Sequence, residues 1–153
     1  MQRFWIFQLS APLSEMQSSL LGAEIACLLL QWKTHGQAMK AEYRLLHQQF
    51  LYIHTPEGTP GASGCSIDSL KSGVTEILKK MHLTDAGAGT IFYRTGKGFS
   101  PIPFAEVKKA IETGQLRADT EVIDLSLGGT ENPDRICTAL SNTWMRRYLP
   151  TEV

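Results

Sequence analysis

Residues 63–81, SGCSIDSLKSGVTEILKKM, carry the most constraining pattern in the chain. Ile67, Leu70, Val74, Ile77, Leu78 and Met81 recur at spacings of three and four, which commits the segment to a helix with one apolar face. Asp68 lies in its first turn and Lys79 and Lys80 in its last, as the helix dipole favours. The helix grows out of PEGTPGASGCSID, residues 56–68, a Gly/Pro/Ser-rich loop that delivers a cysteine to a helix start.

The elements around it follow from the same periodicities. RFWIFQL, residues 3–9, is a short aromatic-rich apolar run and reads as a strand. Ser10 is a plausible N-cap for a first helix, with Pro12 and Glu15 in its opening turn and Leu13, Met16, Leu20, Leu21, Ile25, Leu28, Leu29 and Trp32 as its stripe; THG at 34–36 ends it. MKAEYRLL and QFLYIHT are strand-like runs on either side of His47 and Gln48 and predict a hairpin, although neither residue is the Asn or Gly that primed turns favour. TIFYR, residues 90–94, adds a fourth strand between two Gly-rich segments. The order β-α-β-β-α-β predicts an α+β chain whose residues 1–96 form a ferredoxin-like βαββαβ antiparallel sheet with both helices on one face. Residues 97–153 then form a packed C-terminal α-β-α extension of a single domain, with Pro103 opening a helix, Gly114 at its C′ position, EVIDL as a strand, and a last helix begun by Asn132 and Pro133 with Ile136, Leu140, Trp144 and Tyr148 along one side.

The totals narrow the function. With 153 residues the chain can bury a core without staples, and fifteen basic against fifteen acidic residues leave no field to draw nucleic acid. Cys27, Cys65 and Cys137 are odd in number, widely spaced and without a CxxC pair, which argues for reduced thiols and against both a disulfide framework and a metal site. The most apolar stretch, LLGAEIACLLL, is far short of the ~20 residues that span a bilayer. A cytoplasmic protein is expected, with no membrane or nucleic-acid partner, and no motif asks for a cofactor.

The expected topology gathers several of these residues at one edge of the sheet: His35 and Gly36 after the first helix, the loop from His54 to Cys65, the start of the second helix, and the TGKG turn with Lys97. Three readings of that edge stay open. A cysteine at a helix N-terminus feels the positive end of the dipole, so Cys65 is a candidate nucleophile, with His35 or His54 as base and Asp68 or Glu57 as orienter. Alternatively Ser63 or Ser66 caps the helix and Cys65 is a small buried residue at N′; this structural reading takes precedence because cysteine is among the most often buried residue types. Thirdly, Ser63, Gly64, Cys65, Ser66 and His35 can form an anion site on the helix start. His47 and His82 read as solvated and as a favourable cation at a helix end, and Trp32 and Trp144 as core or interface anchors. Arg146 and Arg147 read as a solvated face, and Cys27 and Cys137 as structural.

WKTHG, ASGCSID and the tail WMRRYL together resemble a family of small single-domain bacterial proteins, found largely in the Bacteroidetes, some of whose members are labelled ABC transporter ATPases. A P-loop needs G-x-x-x-x-G-K-[ST], and neither Gly-rich segment supplies it, so nucleotide hydrolysis of that class is rejected. Pro103, Gly114, Leu116, Asp119, Thr120 and Val122 also occupy a pattern similar to that of small GYF-like interaction modules, which implies a binding surface at residues 101–125. The expectation is therefore a protein that binds a partner or small anionic ligand at the 56–68 loop and His35; the alternatives are a thiol-dependent hydrolase or transferase using Cys65, and a scaffolding subunit acting as a homodimer.

Overall fold

The computed structural model describes residues 4–56, 59–87, 89–128 and 132–151. The protein is α+β, and it divides into two compact units, Met1–Asp85 and Ala86–Val153.

In the first unit, β1 (Phe4–Gln8) leads to α1 (Glu15–Gln31), then to the two-residue strands β2 (Lys33–Thr34) and β3 (Gln37–Ala38), the hairpin β4 (Glu42–Leu46) and β5 (Phe50–His54), and α2 (Gly64–Lys80). β5 is central in an antiparallel sheet of order β1-β5-β4. Its Leu51 and Ile53 join Trp5 and Phe7 of β1 and the inner faces of α1 and α2 in one core. The hairpin expected over residues 39–55 is present at 42–54, and its turn is a primed one made without glycine: His47 and Gln48 both take positive φ, 52° and 59°, and Gln49 N–H closes the turn on Leu46 O at 3.0 Å. Gln49 stabilises this conformation by burying its side chain and donating to Leu9 O at 2.9 Å, while Leu9 N–H donates to Gln49 O. The satisfied buried amide offsets part of the strain of the two left-handed residues.

Ser14, not Ser10, caps α1, through a reciprocal capping box with Gln17, and Pro12 therefore precedes the helix. Of the expected stripe, Leu21, Ile25 and Leu29 are buried in the core from within α1 and Leu28 packs against it half-buried; Met16 and Leu20 lie on the opposite side. The two helices meet at Gly73, where a Cβ would stand 2.6 Å from Leu28 Cδ1.

The ferredoxin-like order is not evident, because the sheet of the first unit has three strands and the fourth belongs elsewhere. β6 (Thr90–Thr95) pairs along its whole length with β7 (Gly98–Pro103), across a tight turn in which Gly96 has φ 55°. A two-residue turn closes a hairpin at little loop entropy, whereas pairing with the first strand, which ends at Gln8, must close a far longer loop. The prolines at 101 and 103 disguised β7, but it lies at the edge of a sheet ordered β7-β6-β8-β9, where a missing N–H is tolerated. α3 (Val107–Glu112), entered by a 3₁₀ turn at Phe104–Glu106, packs Val107, Ala110 and Ile111 on this sheet, and Gly114 ends it at φ 82°. β8 (Glu121–Ile123) and β9 (Cys137–Ala139) complete the second unit.

The expected last helix is replaced by 3₁₀ turns at Pro133–Ile136, Leu140–Asn142 and Trp144–Tyr148 around β9. Thr143 explains the break: its Oγ1 donates to Leu140 O at 2.7 Å and accepts from Met145 N–H at 3.2 Å, local bonds that compete with a helical ladder. Met145 consequently fills the core, and Trp144, expected as an anchor, is 42% exposed.

At Gly73 overpacking and helix propensity oppose each other. Gly73→Ala is expected to lose about 1 kcal/mol in denaturant unfolding, since overpacking of ~1–3 kcal/mol exceeds the ~1 kcal/mol gained by replacing a helical glycine. In a Leu28→Ala background the same substitution is expected to change sign and stabilise.

Candidate functional site

Two segments far apart in sequence meet at one edge of the first unit. α1 ends with Trp32 as C-cap, and the chain turns at once through β2, His35, Gly36 and β3; His35 and Gly36 take φ 49° and 79°, the pair of positive angles a type I′ turn requires. Trp32 is 3% exposed, packs edge-on to Trp5 at 5.3 Å, and donates its indole N–H to Ser66 O at 2.7 Å. Thr34, 2% exposed, accepts at Oγ1 from Ser63 N–H at 3.3 Å and from Ser66 Oγ at 3.2 Å. Ser63 caps α2, its Oγ taking Ser66 N–H at 3.1 Å and lying 2.8 Å from Ser66 Oγ. The β2–β3 hairpin and the α2 N-terminus are thereby one hydrogen-bonded piece.

Among the expected site residues, Ser63 and Ser66 are held in that network, with Ser66 buried; Gly64, Cys65, Asp68 and His35 are exposed around it. Cys65 is not the buried N′ residue of the structural reading. It is the second residue of α2, because Ser63 takes the cap, and at that position the side chain points away from the core that Ser66, one residue on, enters. The N–H groups of Gly64 and Cys65 make no hydrogen bond among the described residues. Trp32 and Thr34 were not foreseen as partners of the loop; the available signal was a buried indole, which needs an acceptor.

His54 does not serve this edge as expected of a base. It sits opposite Glu42 in the β4–β5 ladder, with Nε2 3.4 Å from Glu42 Oε2, so its carboxylate neighbour is Glu42 and not Asp68. Glu57 lies outside the described residues. Lys97 belongs to the β6–β7 turn of the second unit's sheet. Among the described residues no three His, Cys, Asp or Glu side chains are grouped as metal ligands would be, and no helix is long and apolar enough to cross a membrane.

In the second unit the exposed rings of Phe104 and Trp144 meet edge to face at 5.7 Å, Trp144 meets the half-buried Tyr148 at 6.2 Å, and the Arg147 guanidinium lies 4.8 Å from the Tyr148 ring centre. Arg147 is thus drawn onto rings and is not a plain solvated charge. Cys27, expected as structural on an apolar face, is exposed, while Cys137 is partly buried beside Glu121 and Arg94. Against known protein families, curated proteins and solved structures, the chain has no match.

The thiols should differ in reactivity. Burial, reinforced by the Glu121 carboxylate, pushes the Cys137 thiol above its ordinary range, and Arg94 offsets part of this. Since the thiolate is the species that alkylates, Cys137 is expected to react last with iodoacetamide at neutral pH, after Cys27 and Cys65. Glu121→Gln removes a charge that disfavours thiolate, so the alkylation profile of Cys137 should move to lower pH, measured by mass spectrometry of peptides.

Proposed function

We propose that the protein is a binding protein and not an enzyme, and that it receives a small anionic ligand, or an acidic group of a partner, at the edge formed by His35 and the 63–66 segment. One observation carries this reading: the Thr34–Ser63–Ser66 network fixes the start of α2 beside the His35 turn while leaving the Gly64 and Cys65 N–H groups uncommitted. Backbone N–H groups at a helix start, at the positive end of the dipole, favour negative charge. The cap serine spends its oxygen on Ser66 N–H, so an anion would use the two remaining donors and the His35 imidazole.

Thiol catalysis by Cys65, as a hydrolase or transferase, ranks below this. Cys65 hydrogen-bonds to no base among the described residues, and the imidazole of His54 is turned toward Glu42. The binding class is also favoured by the exposed Phe104 and Trp144 rings of the second unit, backed by the half-buried Tyr148, since aromatic residues with Arg are enriched in recognition surfaces. They border the segment with the GYF-like pattern, whose Gly114, Leu116 and Val122 serve a helix end and a core.

Titration with inorganic phosphate, followed by amide NMR shifts, tests the proposal. The Gly64 and Cys65 signals are expected to move together and saturate. Ser63→Asp keeps a good N-cap but places a carboxylate where the anion would sit, so the unfolding free energy should hold within about a few tenths of a kcal/mol while the phosphate response falls at least tenfold. Shifts absent in the parent protein, or unchanged in Ser63→Asp, would contradict it.

A further inference from the structure

α1 has two apolar faces. Leu21, Ile25 and Leu29 enter the core, and on the opposite side Met16, Leu20, Ala23, Cys27 and Leu30 follow one another at spacings of four, three, four and three. At ~100° per residue these five fall within one narrow stripe, the seam spacing of a two-helix coiled coil and not the pattern of a solvated face. Met16, Leu20 and Leu30 are 75%, 56% and 82% exposed. Beside the C-terminal end of the stripe runs an open groove of about 600 Å³, lined by Ala26, Leu29, Leu30, Lys40 and Tyr43 among others.

We propose that the stripe is a self-association surface on which a second copy of this chain packs its own α1 antiparallel, about a two-fold axis near the middle of the helix. Three features select this occupant and direction. The long, flexible Met16 lies at one end of the stripe and the groove at the other, while small residues, Ala23 and Cys27, occupy the middle; antiparallel pairing brings close approach at the centre and sends Met16 of each copy toward the groove of the other. The charges agree: Glu15 adjoins Met16, Lys40 lines the groove, and neither forms an ion pair among the described residues, so the same pairing sets Glu15 against Lys40 of the second copy. Met16, Leu20 and Leu30, with Tyr43 on the groove rim, are large apolar side chains exposed along one line, which is a continuous patch and not a scatter of single surface residues. A lipid surface fits less well, because α1 contains no Lys or Arg, the residues that flank the apolar face of membrane-surface helices.

Sedimentation equilibrium of the full chain from about 5 to 200 µM reads the association directly. A dimer is expected, and Leu20→Glu or Leu30→Glu should weaken it more than about tenfold with helix content and melting behaviour of the monomer unchanged, since both side chains are exposed. Glu15→Lys should weaken it as well, and Glu15→Lys with Lys40→Glu in the same chain should recover it. A monomer throughout that range, a dimer indifferent to the two leucine substitutions, or a dimer that the charge exchange fails to restore would overturn the proposal. So would recruitment of a monomer to anionic phospholipid vesicles through the same leucines.

Discussion

The hydrogen bond from the Trp32 indole to Ser66 O holds the first unit in its present form. It joins the C-cap of α1 to the first turn of α2, and it does so inside the core, where the indole has no water to turn to. A buried donor left unsatisfied costs ~1–3 kcal/mol, so the sequence between Trp32 and Ser66 must arrange itself to keep the contact. Thr34 makes the consequence local. Its hydroxyl takes Ser63 N–H and Ser66 Oγ, which forces the chain to reverse direction within the two residues His35 and Gly36.

From that joint the rest of the edge follows. With Ser63 fixed as cap and Ser66 buried, the intervening Gly64 and Cys65 have only the outside left to face, and the exposed thiol is a by-product of helix register. The same register turns Leu70, Val74, Ile77 and Leu78 onto the sheet and leaves Gly73 against Leu28, so α1 and α2 approach closely. Because α1 is bound on this side by Leu21, Ile25 and Leu29, its other apolar stripe stays free for a second helix.

Where a periodicity is long and its partners local, the sequence is legible: both helices, the hairpin of residues 39–55 and the strand at 90–94 are present within a few residues of the bounds that spacing sets. Three things are not. The pairing of the 90–95 strand depends on a competition between a near hairpin and a distant sheet, and strand propensity is silent on the outcome. The last segment has an i, i+4 apolar spacing, yet Thr143 binds its own neighbourhood and a ladder at Cys137–Ala139 takes the backbone. In α1 the apolar residues form two faces, with Met16 and Leu20 exposed across the helix from the buried Leu21 and Ile25, and so dense an apolar composition does not separate them. At the site, Ser63 and Ser66 are bonded to Thr34, the residue before the His35 turn, and Thr34 and Trp32 carry no signal in the sequence because their role is to satisfy groups that only folding buries.

The most direct measurement is a double-mutant cycle between Thr34→Val and Ser66→Ala in equilibrium unfolding. If the hairpin and the α2 start are one hydrogen-bonded piece, each single change should cost about 1–3 kcal/mol and the pair should be coupled by about 1 kcal/mol or more. Losses that add within ~0.3–0.5 kcal/mol would mean that the two segments are stabilised independently, and the account of this edge would fail.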